Sequence, residues 1–168
     1  MSWLSERSRN GGIDEVPLPR GAGRLWLCGK HFIGPDPEAT LERTEASTVV
    51  CLNDEAELVH RFPTYVRWLR DNDGQRAVWW PVHDMHAPGL AGLTALVALV
   101  RARLDAGEGV VVHCGAGMGR AGSVAAAVLI AYGASVDAAL AQVAASRPGA
   151  GPQTLAQELA LTEFAASL

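Results

Sequence analysis

The chain contains a cysteine and an arginine, Cys114 and Arg120, that are separated by five residues, three of them glycine. A run of β-branched residues over 109–113 predicts a short buried strand before this segment, and the apolar stretch 124–132 predicts a helix after it. Glycine lets the connecting loop turn tightly with its N–H groups directed inward, beside the positive end of the helix dipole. An arginine guanidinium can hold two oxygens of an anion at once. The spacing therefore predicts a binding site for a tetrahedral anion.

Cys114 is the candidate nucleophile of this anion site. A helix N-terminus and a neighbouring cation both favour the thiolate form of a cysteine, which is the reactive species. The alternative is a buried structural cysteine in a phosphate loop of the nucleotide-binding type, with Arg120 on the helix surface. The expected donors to the anion are the backbone amides of Gly115, Ala116, Gly117, Met118, Gly119 and Arg120.

The segment 113–120, HCGAGMGR, resembles the His-Cys-x-x-x-x-x-Arg signature of the cysteine-dependent protein tyrosine and dual-specificity phosphatases. The resemblance implies that Cys114 attacks phosphorus, that a cysteinyl-phosphate intermediate forms, and that no cofactor or metal is required. We expect His113 to support the loop through backbone hydrogen bonds, because a side chain at this strand end should point toward the interior.

Asp84 is the candidate proton donor. The oxygen that departs from phosphorus is a poor leaving group unless it is protonated, and parallel strands bring the loops at their carboxyl ends to one edge of a sheet. The segment 81–84, Pro-Val-His-Asp, resembles the Pro-x-x-Asp acid loop of dual-specificity phosphatases, which makes Asp84 the expected general acid. A turn-capping aspartate is the alternative. His83 and His86 flank Asp84, but no second ligand cluster supports a metal site.

The resemblance extends over about 24–168 and is closest to the kinase-associated phosphatase group. The segment 51–58, CLNDEAEL, looks like the strand and turn of that group. The segment 147–164 is similar to its closing segment, in which a glutamine orients the hydrolytic water. Gln157 fits this glutamine better than Gln153, and a solvent-facing helix residue is the alternative.

Cys51 is a candidate redox partner of Cys114. The lipid phosphatase relatives carry a cysteine on the equivalent strand that forms a disulfide with the nucleophile under oxidation. The position of Cys51 implies the same protection against over-oxidation. The alternative is a cysteine packed in the core.

Ala121 departs from the signature, because most members of the resembled family have Ser or Thr after the arginine. That hydroxyl hydrogen-bonds the cysteine sulfur and helps it to leave the phosphoenzyme. Ser123 lies two residues further on, about 200° around the helix, and does not replace it. We therefore expect an active enzyme with slow breakdown of the intermediate.

The composition excludes several classes of function. The net charge is −4 and the 14 Lys and Arg residues are scattered, so we expect no nucleic-acid partner and no membrane contact. An odd number of cysteines, no apolar signal region and no run of ~20 apolar residues predict a cytoplasmic protein. Abundant Ala and Gly with one lysine, Lys30, are typical of a bacterial source.

The order of elements predicts an α/β fold. We expect a single domain over 23–168, with a central, mostly parallel sheet of about five strands and helices on both faces. The polar segment 1–22 is predicted to be a flexible leader. The predicted strands are 24–28, 30–33, 47–52, 76–80 and 109–113, the first two forming a hairpin at Gly29. The predicted helices are 37–45, 54–60, 64–72, 90–105, 124–132, 135–146 and 153–166.

Together these features predict a phosphoprotein phosphatase that acts on phosphotyrosine, with phosphoserine and phosphothreonine left open. The expected partner is a phosphorylated protein or peptide, and the oligomeric state stays open. The loop has no Lys or Arg before Arg120, which disfavours polyphosphorylated inositol headgroups. One alternative is a phosphate-binding pseudophosphatase, indicated by Ala121. Another is a rhodanese-like sulfurtransferase or an arsenate reductase, neither of which needs Asp84.

Overall fold

Apolar and β-branched segments form the strands of one sheet. The computed structural model describes residues 3–18 and 23–168, and within them the sheet has five strands. In chain order these are β1 (Ile13–Val16), β2 (Arg24–Gly29), β3 (Ala46–Cys51), β4 (Ala77–Trp79) and β5 (Gly109–Cys114). Their spatial order is β1-β2-β5-β3-β4, with β1 antiparallel to β2 and the other neighbours parallel.

Helices cover both faces of this sheet. They are α1 (Trp3–Asn10), α2 (Lys30–Ile33), α3 (Pro37–Thr44), α4 (Pro63–Asn72), α5 (Leu90–Asp105), α6 (Gly119–Ala131), α7 (Val136–Ser146) and α8 (Leu155–Ala166). Apolar side chains of α5 to α8 pack on one face, and those of α2, α3 and α4 pack on the other. The predicted α/β fold with a mostly parallel sheet between two helical layers is confirmed.

The central strand β5 determines where the candidate site lies. All its residues are buried, because both faces of the sheet are covered. Val110 and Val112 face the layer of α5 to α8, and Val111 faces the opposite layer. Since β5 ends at Cys114 and α6 begins at Gly119, the intervening loop lies at the carboxyl edge of the parallel strands.

Helix α5 has the bounds that its periodicity predicts. Its buried face consists of Leu93, Leu96, Val97, Val100 and Leu104, the residues expected from helical spacing. The sequence offers Ser135 or Asp137 as the cap of α7, and the structure selects Ser135, whose hydroxyl accepts a hydrogen bond from the amide of Ala138.

The predicted flexible leader is wrong for the residues that the structure describes. Helix α1 and strand β1 both lie within 1–22, and β1 forms the edge of the sheet. Charged side chains, which suggested disorder in the sequence, form ion pairs in the fold: Arg7 with Asp14, and Arg24 with Glu15. Residues 1–2 and 19–22 lie outside the described part of the chain.

The predicted strand over 30–33 is also wrong, since these residues form the helical turn α2. Gly29 packs against the loop after β5, where a Cβ would lie 2.7 Å from the carbonyl oxygen of Gly115, and Lys30 N–H donates to that oxygen at 3.0 Å. The predicted hairpin at Gly29 therefore does not form, and Gly29 and Lys30 contact the loop after β5 instead. The predicted helix 54–60 is reduced to a 3₁₀ helix, Glu55–Glu57.

Over residues 3–18 and 23–168, no helix combines the length and the apolar character that crossing a membrane requires.

Replacing Leu96 by alanine should lower the free energy of unfolding by about 2 to 5 kcal/mol, because this side chain is fully buried between α5 and the sheet. Leu99 lies on the same helix but is 46% exposed, so Leu99→Ala should change the free energy by less than about 0.5 kcal/mol. Urea unfolding of both variants measures the difference. Equal losses would contradict the assignment of the buried face.

Candidate active site

The loop after β5 has a shape that depends on one glycine. Cys114, at the end of the strand, is 3% exposed. Gly117 has a φ of 74°, and a Cβ at this position would lie 2.4 Å from the carbonyl of Cys28. Only glycine fits here, because both the dihedral angle and the space exclude a side chain.

Arg147 holds the outer side of this loop. Its guanidinium is fully buried and donates to the carbonyl oxygens of Ala116 at 2.9 Å and Gly117 at 3.1 Å. The same group pairs with Asp14 of β1 at 2.7 Å and donates to the carbonyl of Gly12. Because the carbonyls are bound from outside, the opposite side of these peptide groups presents N–H donors to the cavity.

Two further backbone bonds complete this support. Lys30 N–H donates to the carbonyl of Gly115 at 3.0 Å, and Gly151 N–H donates to the carbonyl of Met118 at 3.1 Å. Four successive carbonyls, from residue 115 to 118, are thus held by groups outside the loop. The predicted anion-binding segment therefore has a preorganised backbone.

Arg120 lies in the first turn of α6 and is 5% exposed. Its two terminal nitrogens donate to both carboxylate oxygens of Glu57, at 2.9 and 2.8 Å, and one donates to the carbonyl of Val82 at 2.8 Å. Burial by itself lowers the pKa of Arg120, but Glu57, Cys114 and Asp84 outweigh burial and raise it. The guanidinium is therefore charged and fixed in orientation.

Glu57 is a site residue that sequence reasoning missed. Its carboxylate also accepts from the N–H of Asp54 at 2.8 Å, in a capping box of the 3₁₀ helix. Burial raises the pKa of Glu57, but the bonds from Arg120 and Asp54 lower it below its usual range overall. The segment 51–58 was recognised from its resemblance, yet the partner of Glu57 is 63 residues away and cannot be read from local spacing.

Asp84 lies beside Arg120, with 3.3 Å between its Oδ1 and the nearest guanidinium nitrogen. Its side chain is 73% exposed, so it can reach the solvent side of a bound substrate. The preceding His83 pairs with Asp54, and the following Met85 has a φ of 66° and donates its N–H to Asp84. The acid loop is thus attached to the segment that carries Glu57.

His113 points away from the cavity into the core. Burial lowers its pKa to about 4, so the imidazole is neutral at pH 7. Its Nε2 lies 2.6 Å from the hydroxyl of Tyr65, and its Nδ1 lies 3.4 Å from the carbonyl of Cys114. This position agrees with the expected supporting role rather than with acid or base chemistry.

The structure places Gln153, and not the predicted Gln157, in the wall of the cavity. Gln157 is 1% exposed, its amide oxygen accepts from the N–H of Gln153 at 2.8 Å, and its amide nitrogen donates to the carbonyl of His86 at 3.1 Å. Gln157 therefore connects α8 to the acid loop. The sequence pattern does not show that α8 begins at Leu155, and this start decides which of the two glutamines lines the cavity.

Cys51 lies on a different face of the sheet from Cys114. Cys51 and His113 are register partners, so their side chains share one face, and Cys114 belongs to the opposite core layer. Burial raises the pKa of Cys51 to about 12. A disulfide would require backbone movement at the strand end, and the redox pairing stays a prediction.

The cavity above the loop has a volume of about 560 Å³. Cys114, Arg120, Asp84, Met85 and Gln153 all line it. Among the residues that the structure describes, no group of three or more His, Cys, Asp and Glu side chains is arranged to hold a metal ion. The arrangement brings the candidate nucleophile, the candidate anion site and the candidate acid into one cavity.

This fold and this site define a cysteine-dependent phosphatase of the dual-specificity type. The chain belongs to the family described as "Polymorphic toxin system, DSP-PTPase phosphatase" (Tc-R-P), whose sequence model matches residues 39–134. A search of curated protein sequences finds no match.

Solved structures share the fold over nearly the whole chain. Tk-PTP in its active form has a TM-score of 0.72 at 23% identity, covering 92% of this chain and 97% of that one. Kinase-associated phosphatase, with serine in place of its catalytic cysteine, has a TM-score of 0.75 at 21% identity, covering 94% and 95%. Human DUSP28 has a TM-score of 0.70 at 23% identity, covering 92% and 93%.

Replacing Glu57 by alanine should lower kcat/KM for para-nitrophenyl phosphate by about 10- to 100-fold, because Arg120 loses the pair that orients it. Glu55→Ala is the matched control: Glu55 belongs to the same 3₁₀ helix but pairs with the exposed Arg70, so its kcat/KM should stay near that of the wild type. Thermal unfolding checks that both variants are folded. Equal kcat/KM values would show that Glu57 does not position Arg120.

Proposed function

We propose that this protein is a phosphoprotein phosphatase that hydrolyses phosphotyrosine through a cysteinyl-phosphate intermediate. One observation carries the proposal: Cys114, Arg120 and Asp84 line the same cavity, with Asp84 3.3 Å from the guanidinium. A nucleophile, an anion clamp and a proton donor within one cavity are what a phosphate monoester requires.

The first step transfers the phosphoryl group to the protein. The loop amides and the Arg120 guanidinium bind the phosphate oxygens, and the Cys114 thiolate attacks phosphorus. The S–P bond forms as the P–O bond to the substrate breaks, and Asp84 gives its proton to the departing oxygen. Glu57 and the carbonyl of Val82 accept from both hydrogens of Nη1 and from one of Nη2, so the Nε–H and the second hydrogen of Nη2 are the donors that we assign to the phosphate.

The second step releases phosphate. Asp84, now a carboxylate, takes a proton from a water molecule as that water attacks phosphorus, and the S–P bond breaks to regenerate the thiolate. Gln153 is the glutamine that lines the cavity, and it is the residue we assign to orienting this water. Gln157 acts indirectly as a positioning residue, because its amide oxygen accepts a hydrogen bond from the N–H of Gln153.

A weakly active phosphate-binding protein is the second candidate, and Ala121 is the observation that favours it. Ala121 is fully buried, and the hydroxyl of Ser123 donates to the carbonyl of Gly119 at 2.7 Å. No hydroxyl from these two positions is therefore available to the sulfur of Cys114. A sulfurtransferase or arsenate reductase gives no role to Asp84 beside Arg120.

The direct test is hydrolysis of a phosphotyrosine peptide and of para-nitrophenyl phosphate. Cys114→Ser should abolish both reactions. Asp84→Asn should lower kcat/KM, which reports the first step, by about 10²- to 10⁴-fold for the peptide and much less for the nitrophenyl ester, because in that step only the tyrosine leaving group needs a proton. A wild-type protein that binds phosphate without hydrolysing either substrate would support the pseudophosphatase, and equal effects of Asp84→Asn on both would remove Asp84 from the acid role.

Ala121→Ser should raise the steady-state kcat on the order of 10-fold, because the new hydroxyl stabilises the departing sulfur. In the wild type, rapid-mixing experiments should show a burst of nitrophenol followed by a slower steady state, and the substitution should diminish the burst. Ser123→Ala is the control and should leave the ratio of burst to steady state unchanged. Linear nitrophenol release by the wild type would contradict slow breakdown of the intermediate.

A further inference from the structure

The acid loop, residues 81–88, is an irregular segment that carries Asp84. These residues form neither a helix nor a strand, and the side chain of Asp84 is largely exposed. Its Oδ1 lies 3.3 Å from the guanidinium of Arg120 and accepts from the N–H of Met85 at 3.0 Å. A general acid acts only when it is directed at the atom that it protonates. The groups that hold this loop therefore bear on the reaction.

Met85 has a backbone conformation that needs support from outside the loop. Its φ of 66° lies in the left-handed region, which is unfavourable for a residue with a Cβ. Such a conformation persists where the surrounding contacts over-determine it. Because Met85 directly follows Asp84, the contacts that hold its peptide group also determine where the carboxylate points.

The first turn of α8 supplies contacts of this kind. The hydroxyl of Thr154 donates to the carbonyl of Met85 at 2.9 Å. The side-chain amide nitrogen of Gln157 donates to the carbonyl of His86 at 3.1 Å. Two successive carbonyls that directly follow Asp84 are thus bound by one helix, from 69 and 71 residues away in the chain.

Thr154 and Gln157 are themselves fixed by the way in which α8 begins. Thr154 is the N-cap of the helix, so its hydroxyl oxygen accepts from the N–H of Gln157 at 3.3 Å while its proton is donated to Met85. Gln157 is fully buried, and its amide oxygen accepts from the N–H of Gln153 at 2.8 Å. Each side chain is therefore held by α8 at one atom or group and binds the acid loop with another.

The other bonds to the acid loop come from more exposed groups. His83 pairs with Asp54, and the imidazole of His83 is 78% exposed. The Nδ1–H of His86 donates to the carbonyl of Asp84 at 2.9 Å, within the loop itself. Water competes more readily for exposed hydrogen bonds than for a bond from a buried amide such as that of Gln157. The contacts from α8 are accordingly the ones that we expect to fix the loop.

We propose that Thr154 and Gln157 are positioning residues for the general acid: by binding the two carbonyls after Asp84, they direct its carboxyl group at the oxygen that leaves phosphorus. This inference rests on the proposed phosphatase function. Neither residue lines the cavity, so the loss of either contact should affect the steps in which Asp84 transfers a proton and spare the attack by Cys114.

Substrates that differ in their need for a proton test the role of Thr154. Thr154→Val removes the hydroxyl and should lower kcat/KM for a phosphotyrosine peptide by about 10-fold, because the acid stays present but loses its orientation. For para-nitrophenyl phosphate kcat/KM should change by less than about twofold, since nitrophenolate leaves without a proton. The measured quantity is the ratio of the two kcat/KM values. Thr154→Ser retains the hydroxyl and should keep the wild-type ratio.

Asp84→Asn gives a second readout, because the proton donor is then absent. Adding Thr154→Val to Asp84→Asn should leave kcat/KM for the peptide unchanged if Thr154 acts through Asp84. A residue that affects the fold in general would lower this value by the same factor in both backgrounds.

Ser135→Ala is the matched control for the loss of a helix cap. Ser135 caps α7 as Thr154 caps α8, and its hydroxyl accepts from the N–H of Ala138 within its own helix. Ser135→Ala should lower the midpoint of thermal unfolding about as Thr154→Val does, but keep the wild-type ratio. Thr154→Gly is a second variant without the hydroxyl. Because glycine is tolerated at an N-cap, this variant tests the ratio even where valine impairs folding.

Gln157→Met removes the bond to the carbonyl of His86 and should also lower the ratio. The inference is overturned by an unchanged ratio in Thr154→Val and Thr154→Gly, by an equal fall in Ser135→Ala, or by the same loss in the Asp84→Asn background. An unchanged ratio in Gln157→Met would overturn the part assigned to Gln157. Failure of the proposed function would appear differently, as no hydrolysis of para-nitrophenyl phosphate by the wild type.

Discussion

The buried guanidinium of Arg147 holds the shape of the glycine-rich loop between β5 and α6. A glycine-rich segment has high conformational freedom, and its ordering costs entropy. Arg147 binds two successive carbonyls of the loop, and its charge is balanced by Asp14 on the edge strand β1. The amino-terminal strand and the connection after α7 are thereby tied to the catalytic loop, although both lie outside the region matched by the family model.

A second constraint is the charge balance around Arg120. The guanidinium is buried, and a buried cation without partners would be costly. Glu57 supplies two of its hydrogen bonds, and Asp84 approaches it from the acid loop. Since His83 is paired with Asp54 in the same 3₁₀ segment, the clamp for the phosphate and the loop that carries the acid share one support. The three candidate catalytic residues Cys114, Arg120 and Asp84 are therefore positioned together.

The cavity is lined by more residues than the two that would bind and attack the phosphate, Cys114 and Arg120. These two residues suit any phosphate monoester. Lys30 and Asp84 both line this cavity and carry charges of opposite sign. Ala121 does not line the cavity, because it lies within the core next to the loop.

Local patterns in the sequence determined the elements and the chemistry that depend on near neighbours. The spacing of Cys114 and Arg120, the strand before them and the periodicity of α5 all correspond to the structure, because backbone sterics and side-chain period act over a few residues. Only the tertiary structure decided that Glu57 holds Arg120, that Gln153 rather than Gln157 lines the cavity, and that the polar amino-terminal segment joins the sheet. These outcomes depend on groups distant in sequence meeting at one edge of the sheet, where burial and pairing of charges outweigh local preference.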